Sequence, residues 1–293
     1  MMNSAPYAFC EAVCGVLCAI EKMSAGSGTN YYIWNLAAKR TRERRLDAEI
    51  HVDCRDGTWR YEIIISGENW NDGRTISFQD FKKLNRQHIH LNYVRIGSQS
   101  FLPKRTSTMA EIVEIFKFTA PCVNLSFMVI CETCTISEDD LSHLLSFYKH
   151  ATFRQITCLY HNRASEQFLI AQMQTNALKY FTIAGDGWAG ELRPAIEEFA
   201  LNKDFESINA RNPSLVFGRA FFDALVQKQL LQKRLMFEAQ FSFHSQELMT
   251  SGFQEIVGKF SRKAVRNSQQ KCVSVTIWYD LMSVELEQPS SAI

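Results

Sequence analysis

Apolar residues in the second half of the chain recur as a short phrase, with apolar side chains at its first, fourth and sixth places. Leu178, Phe181 and Ile183 give the clearest copy, running on into Ala184, Gly185 and Asp186. Phe153, Ile156 and Cys158 precede it and close on His161, and Leu125, Met128 and Ile130 stand before those. Phe205, Ile208 and Ala210 follow and close on Pro213, while Arg234, Phe237 and Ala239 form a weaker fifth copy that has lost its leading apolar residue. The fourth-place residues are separated by 28, 25, 27 and 29 positions. Repetition at that period is the sequence mark of a solenoid.

Between the phrases the period changes. Leu141, Leu144, Leu145 and Tyr148 fall at helical spacing, as do Leu192, Ala195, Ile196 and Phe199. Phe217, Phe221, Phe222 and Leu225 follow, and Phe253, Ile256, Val257 and Phe260 repeat the pattern. Alternation predicts a strand, and spacing of i, i+3, i+4, i+7 predicts an amphipathic helix. Each unit is thus a short strand and a helix, too small to bury its own apolar side, and stacking places a parallel sheet on one side and helices on the other. The phrase resembles that of leucine-rich repeats, with Phe, Ile and Cys often in place of Leu. The fold class expected is α/β, an irregular leucine-rich-repeat-like β/α solenoid. A doubly wound α/β domain with evenly spaced strands is the alternative.

The first half departs from that period. Ser4, Pro6 and Glu11 suit the start of a helix over residues 4–21, on which Cys10, Cys14 and Cys18 share one face. Residues 24–30 are a flexible connection, and Lys39 to Arg45 is a basic run that reads as a solvated face. Alternation over Leu46–Ser66 about Arg55-Asp56-Gly57 predicts a β-hairpin. Trp70 to Gly73 reads as a second turn, Phe78 to Leu84 as a short helix, and Leu91, Tyr93 and Ile96 as a strand leading the repeats. Met109 to Phe118 is a helix ended at Pro121. Cys272, Val275 and Ile277, with Val284 and Leu286, predict a terminal hairpin over the last sheet edge, and the chain frays from Gln288. The parts are an N-terminal helical segment (1–45), a hairpin and leading strand (46–107), β/α repeats (108–270), and a capping hairpin with tail (271–293).

Charge and composition narrow the function classes. A net charge of +1 over 293 residues points neither to nucleic acid nor to acidic surfaces, and 46% apolar residues exclude a disordered chain. No run of 18 residues is both apolar and uncharged, so no membrane span is expected, and no Lys or Arg precedes Lys22, which argues against a secretory leader. Nine cysteines, an odd number lying mostly in apolar patterns, read as buried thiols of a cytoplasmic or nuclear protein. The 21 phenylalanines fall mostly at periodic positions and read as core filling. Asn124-Leu-Ser126 matches a glycosylation sequon but begins a core strand.

Candidate chemistry is sparse. The chain contains no glycine-rich phosphate loop, no Gly-Lys-Ser/Thr and no His-Glu-x-x-His. Gly185-Asp-Gly-Trp188 lies between a strand and a helix and reads as a tight turn. Cys131 and Cys134 have redox or zinc spacing, yet no second pair matches them. His88 and His90 would share one strand face, half of a metal site without an adjacent carboxylate cluster. A thiol- or metal-dependent enzyme built on these residues is the competing class. Glu138, Asp139 and Asp140 open a helix, where negative charge offsets its dipole. No catalytic residue, cofactor or metal is expected.

Pro6, Phe9, Val13 and Leu17 resemble the opening of an F-box, which runs Pro and then apolar at +3, +7 and +11; Trp34 stands near the Trp that closes such a motif. Ser24 to Asn30 replace its usual acidic-Leu-Leu run. An amphipathic helix packed on the repeats accounts for the same four residues. Ala5 to Val13, Gly187 to Phe199, Phe217 to Phe222 and Phe241-Ser-Phe243 together resemble a nematode-expanded family of F-box and F-box-associated proteins, a likeness that spans nearly the whole chain. The resemblance implies a substrate receptor of a cullin-type ubiquitin ligase, in which Pro6, Phe9, Val13 and Leu17 dock a Skp-type adaptor and the repeats hold a protein target. The sheet side of the repeats would expose Val129 and Cys131, Thr157 and Leu159, Thr182 and Ala184, Asn209 and Arg211, then Glu238 and Gln240. That column is mixed and moderately apolar, suited to a protein or peptide. Nucleic-acid and membrane partners are not expected.

Overall fold

The computed structural model describes residues 32–67, 70–97, 103–131, 136–159, 162–188, 190–210, 212, 214–231, 236–243, 254–256, 259–266, 269–278 and 281–287. The expected helix over 4–21 lies outside them, as do Cys134, His161 and Arg211. The chain forms two compact units that divide between Phe153 and Arg154.

In the first unit, helix α1 (Tyr32–Arg44) carries the basic run and leads into β1 (Leu46–Arg55) and β2 (Thr58–Gly67). These two strands form the expected antiparallel hairpin, paired from Leu46↔Gly67 to Arg55↔Thr58. Asp56 and Gly57 turn it with φ of 51° and 72°, the paired left-handed values a two-residue hairpin requires. β3 (Trp70–Ile76) pairs antiparallel with β2. Trp70 to Gly73, expected to turn, are therefore strand residues. Gly73 is needed for close approach: a Cβ there would lie 2.9 Å from Ile64 Cγ2.

Ser77 caps α2 (Phe78–Phe81), accepting from the Asp80 N–H at 3.1 Å, and the chain returns through a 3-10 turn to β4 (Ile89–Ile96). β4 lies parallel to β1 on one side and to β6 (Val123–Ile130) on the other. β5 (Arg105–Ser107) pairs with β2. The order in this unit is β3-β2-β1-β4-β6. Helix α3 (Met109–Thr119) begins at the Thr108 cap and buries Ile112, Ile115 and Phe116. α4 (Glu138–Phe147) begins at Ser137 with three acidic residues in its first turn and buries Leu141, Leu144 and Leu145. Tyr148 seals this layer with its ring 5.0 Å from Phe116 and its hydroxyl 2.8 Å from Thr119 Oγ1. Burial pushes that hydroxyl's pKa well up, against the Thr119 hydrogen bond.

The second unit alternates strand and helix: β7 (Thr152–Cys158, entering from the first unit), α5 (Arg163–Met173), β8 (Tyr180–Ile183), α6 (Leu192–Asn202), β9 (Ser207–Ala210), β10 (Val216–Phe217), α7 (Arg219–Leu231) and β11 (Met236–Phe241). β7, β8, β9 and β11 are parallel neighbours in sequence order. Asn162 and Ser165 form a reciprocal capping box at the start of α5. Phe181, Phe205, Phe217, Phe222 and Phe237 are all fully buried, so phenylalanine does fill this core. β14 (Gln269–Trp278) and β15 (Leu281–Glu287) form the terminal hairpin, and β15 covers the edge of β11 from Met236↔Glu285 to Gln240↔Leu281. The helix expected at Phe253–Phe260 is replaced by β12 (Gln254–Ile256) and β13 (Lys259–Arg266), which extend that hairpin antiparallel. Four apolar residues over eight positions also fit an edge meander, and pairing with β14 decides between the two. The chain is thus α/β with mixed parallel and antiparallel pairing.

Candidate functional site

Alternation along the parallel strands of the second unit separates two faces. Phe181, Ile183, Ile208, Ala210, Phe237 and Ala239 are buried, whereas Tyr180, Thr182, Ser207, Asn209, Met236, Glu238 and Gln240 are half-buried. Registers Thr157↔Thr182, Thr182↔Asn209 and Asn209↔Glu238 put four polar side chains in one row across β7, β8, β9 and β11. Gln155, Tyr180, Ser207 and Met236 form the row beside it.

Asn209 Nδ2 donates to Glu238 Oε2 at 2.7 Å. An ionised carboxylate only accepts, which fixes the amide's orientation and leaves Asn209 Oδ1 buried without a hydrogen-bond partner. In the neighbouring row the Tyr180 hydroxyl donates to Glu206 Oε2, and Arg154 donates to Glu206 Oε1 at 3.2 Å while lying 5.6 Å from the Tyr180 ring. The Glu206 hydrogen bond and then burial raise the Tyr180 pKa, so it serves as a donor and not as a base. This face can hydrogen-bond and pack against a partner chain.

The corners beyond the strands are structural. Gly185 has φ 89°, and a Cβ there would lie 3.1 Å from the Leu159 carbonyl oxygen. Trp188 is fully buried and its Nε1 donates to the Ala184 carbonyl at 2.8 Å. Asn212, 1% exposed, donates from Nδ2 to the Gly185 carbonyl and accepts the Ser214 N–H at 2.8 Å. The Gly185-Asp-Gly-Trp188 segment is thus the tight turn its sequence predicts, and Asn212 staples it to the next strand–helix corner.

The first unit has a polar face as well. Registers across β2, β1, β4 and β6 give one row of Ile64, Glu49, Tyr93 and Phe127 and another of Glu62, His51, Arg95 and Val129. Phe127 is 41% exposed. His51 lies 3.5 Å from Glu49 and its ring centroid 5.6 Å from that of Tyr93, whose hydroxyl accepts from Arg95 Nε at 3.1 Å. The His51 hydrogen bond lowers the Glu49 pKa; burial opposes it and Arg95 adds to it. The repeat phrase located Val129 alone here. The charged neighbours come from the leading strands, where alternation over Glu49, His51 and Asp53 was the available signal.

Several expected positions move. Cys131 is buried at 3% exposure, not on the open face, because alternation lapses at the end of β6, where its N–H donates to Ile96 O at 2.8 Å. His88 sits in the 3-10 turn before β4, while His90 on β4 has Nδ1 3.2 Å from Asp47 Oδ1 and Nε2 3.0 Å from the Asn124 carbonyl, so the two do not pair. Burial pushes the Cys54 and Cys122 thiols up, which holds them protonated. Among the described residues, no three His, Cys, Asp or Glu side chains gather at metal-ligating distance. Leu159 and Ala184 are half-buried just past β7 and β8, and the Ala184 N–H donates to Cys158 O at 3.1 Å. Pro6, Phe9, Val13, Leu17 and Arg211 lie outside the described residues.

Fold and face define an α/β protein with a half-buried row of mixed polarity on its sheet. No helix among the described residues is long and apolar enough to cross a membrane. Against family models, curated proteins and solved structures, nothing matches the chain.

Proposed function

We propose that this chain is a non-catalytic protein-binding scaffold, a β/α-repeat substrate receptor of a cullin-type ubiquitin ligase working in the cytoplasm or nucleus. The observation that carries the binding role is the row Thr157, Thr182, Asn209 and Glu238, held in register on four parallel strands beside half-buried Tyr180 and Met236. Such a surface offers hydroxyl, amide and carboxylate groups on a rigid base, with apolar area between them. Leu159, Ala184 and Gln240 extend it along the strands, Arg211 is assigned to it by its sequence position alone, and Val129 lies on the polar face of the first unit.

The ligase role rests on the F-box-like spacing of Pro6, Phe9, Val13 and Leu17. Co-purification with a Skp-type adaptor tests it: the intact chain captures adaptor, and Pro6→Ala/Phe9→Ala/Val13→Glu does not. A folded intact chain that captures none is a repeat-type interaction protein without an adaptor. Proteins recovered with the adaptor-bound chain then test the face, since Thr182→Arg/Asn209→Arg should release a directly bound target while sparing the adaptor. An unchanged target affinity in that variant refutes the sheet-face role.

A further inference from the structure

Where β8 and β9 begin, the turns following α5 and α6 enclose a cleft of about 210 Å³, with Asn176 and Lys179 on one side, Asn202, Lys203 and Asp204 on the other, and buried Leu178 among the lining. Lys179 Nζ donates to the Asp204 carbonyl at 2.7 Å, and Lys203 Nζ donates to Asn176 Oδ1 at 2.9 Å. These bonds tether two flexible side chains across the cleft. An ammonium has three protons and no acceptor, so each lysine retains two donors. The same rule assigns the Asn176 atom facing Lys203 as its oxygen, which turns the Nδ2 donors away from that lysine.

Helix C-termini ordinarily favour cations, because their last carbonyls carry partial negative charge. Here the chain supplies its own partners. Thr175 donates from N at 3.0 Å and from Oγ1 at 2.7 Å to the Gln172 carbonyl, and Lys228 Nζ donates to the Ala200 carbonyl at 2.6 Å. With two ammonium groups already lining the cleft, an added cation meets like charge at short range. Asp204 supplies the one carboxylate among the lining residues. The excess is of donors and positive charge.

We propose that this cleft binds a small oxyanion, a phosphate or carboxylate group, through the free ammonium protons of Lys179 and Lys203. The proposal is independent of the sheet-face reading and concerns different residues. Charge-assisted bonds from two ammonium groups supply most of the affinity, and Asp204 weakens it.

Titration of the intact chain with inorganic phosphate, and separately with acetate, at fixed ionic strength tests the site through the backbone amide NMR shifts of Lys179, Lys203 and Asp204. Saturable shifts are expected, weakened at least about tenfold in Lys179→Gln/Lys203→Gln and tightened about threefold in Asp204→Asn. Saturation by phosphate alone assigns a phosphoryl ligand, and saturation by acetate assigns a carboxylate. Absence of saturation by either anion overturns the proposal, as does unchanged affinity in the double variant or failure of Asp204→Asn to tighten binding. Should the double variant fail to fold, Asp204→Asn and the charge-preserving Lys203→Arg, which keeps affinity within a few-fold, carry the test.

Discussion

Lys228 takes its ammonium to a site only 9% exposed, where Nζ lies 2.6 Å from the Ala200 carbonyl and 2.5 Å from that of Lys203. Burial lowers its pKa, with the Asp204 charge opposing, and its bonds close the C-terminal end of α6. Lys228→Met keeps the stem's packing and orphans both carbonyls, so it should lower unfolding free energy by about 1–3 kcal/mol, read from urea midpoints. Glu49 gives the acid-side counterpart. Its pKa is lowered from 4.5 by the His51 hydrogen bond, against burial, so its contribution is complete above 4.5 and disappears as pH falls through the lowered value. Glu49→Gln should therefore make the loss of stability between neutral pH and pH about 3 shallower than in the parent chain. Neither role is legible in sequence. Lys228 is one lysine in a helix, and its partners lie 25 and 28 residues away.

At the scale of elements, two glycines serve opposite purposes. Gly57 has open space around its Cβ position but a φ of +72°, so Gly57→Ala should cost about 1 kcal/mol through backbone strain alone. Gly73 sits in a strand where an added Cβ would press on Ile64 Cγ2 at 2.9 Å, so Gly73→Ala should cost about 1–2 kcal/mol through crowding. Combined with Ile64→Ala, which removes that Cγ2, the Gly73→Ala loss should be partly relieved and the Gly57→Ala loss unchanged, a distinction that a double-mutant cycle by thermal melting resolves. The sequence locates the first glycine because Asp-Gly between alternating strands is a local hairpin signal. It misplaces the second because Trp70-Asn-Asp-Gly73 carries turn residues, and only the packing of β3 on β2 shows why glycine is there. Helix α5 is not singled out by the spacing of apolar residues, because its buried side sets polar Ser165 and Gln172 beside Ala164, Phe168 and Leu169.

At the scale of the whole chain, what sequence conveys is the repeated strand phrase, and what it omits is pairing between distant segments. Leu125–Ile130 and Phe153–Cys158 fall whole in strands. Leu178 and Phe205 stand just before β8 and β9, and only the later parts of their copies, Phe181–Ile183 and Ile208–Ala210, are strand, where a two-residue period needs no distant information. The parallel pairing of β4 with β1 is set by the packing of residues some 40 positions apart, from Leu46↔Ile89 to Val52↔Ile96, and no local pattern encodes it. The candidate face divides likewise: alternation indicates that Thr182, Asn209 and Glu238 share a side, whereas the Asn209–Glu238 bond and the Tyr180–Glu206–Arg154 contact appear only once register is fixed. The same logic makes β15 decisive, since it joins β11 to β14 and leaves neither with an open edge at that position. Val284 pairs with Phe237 on one side and Val275 on the other, so proline there removes a ladder donor from a central strand. Val284→Pro should free the edge of β11, the last of the parallel strands, and turn a protected edge into a template for another chain. Sedimentation velocity should then show concentration-dependent association absent from the parent chain. A Val284→Pro chain that stays folded and sediments like the parent would mean that β15 does not guard this edge.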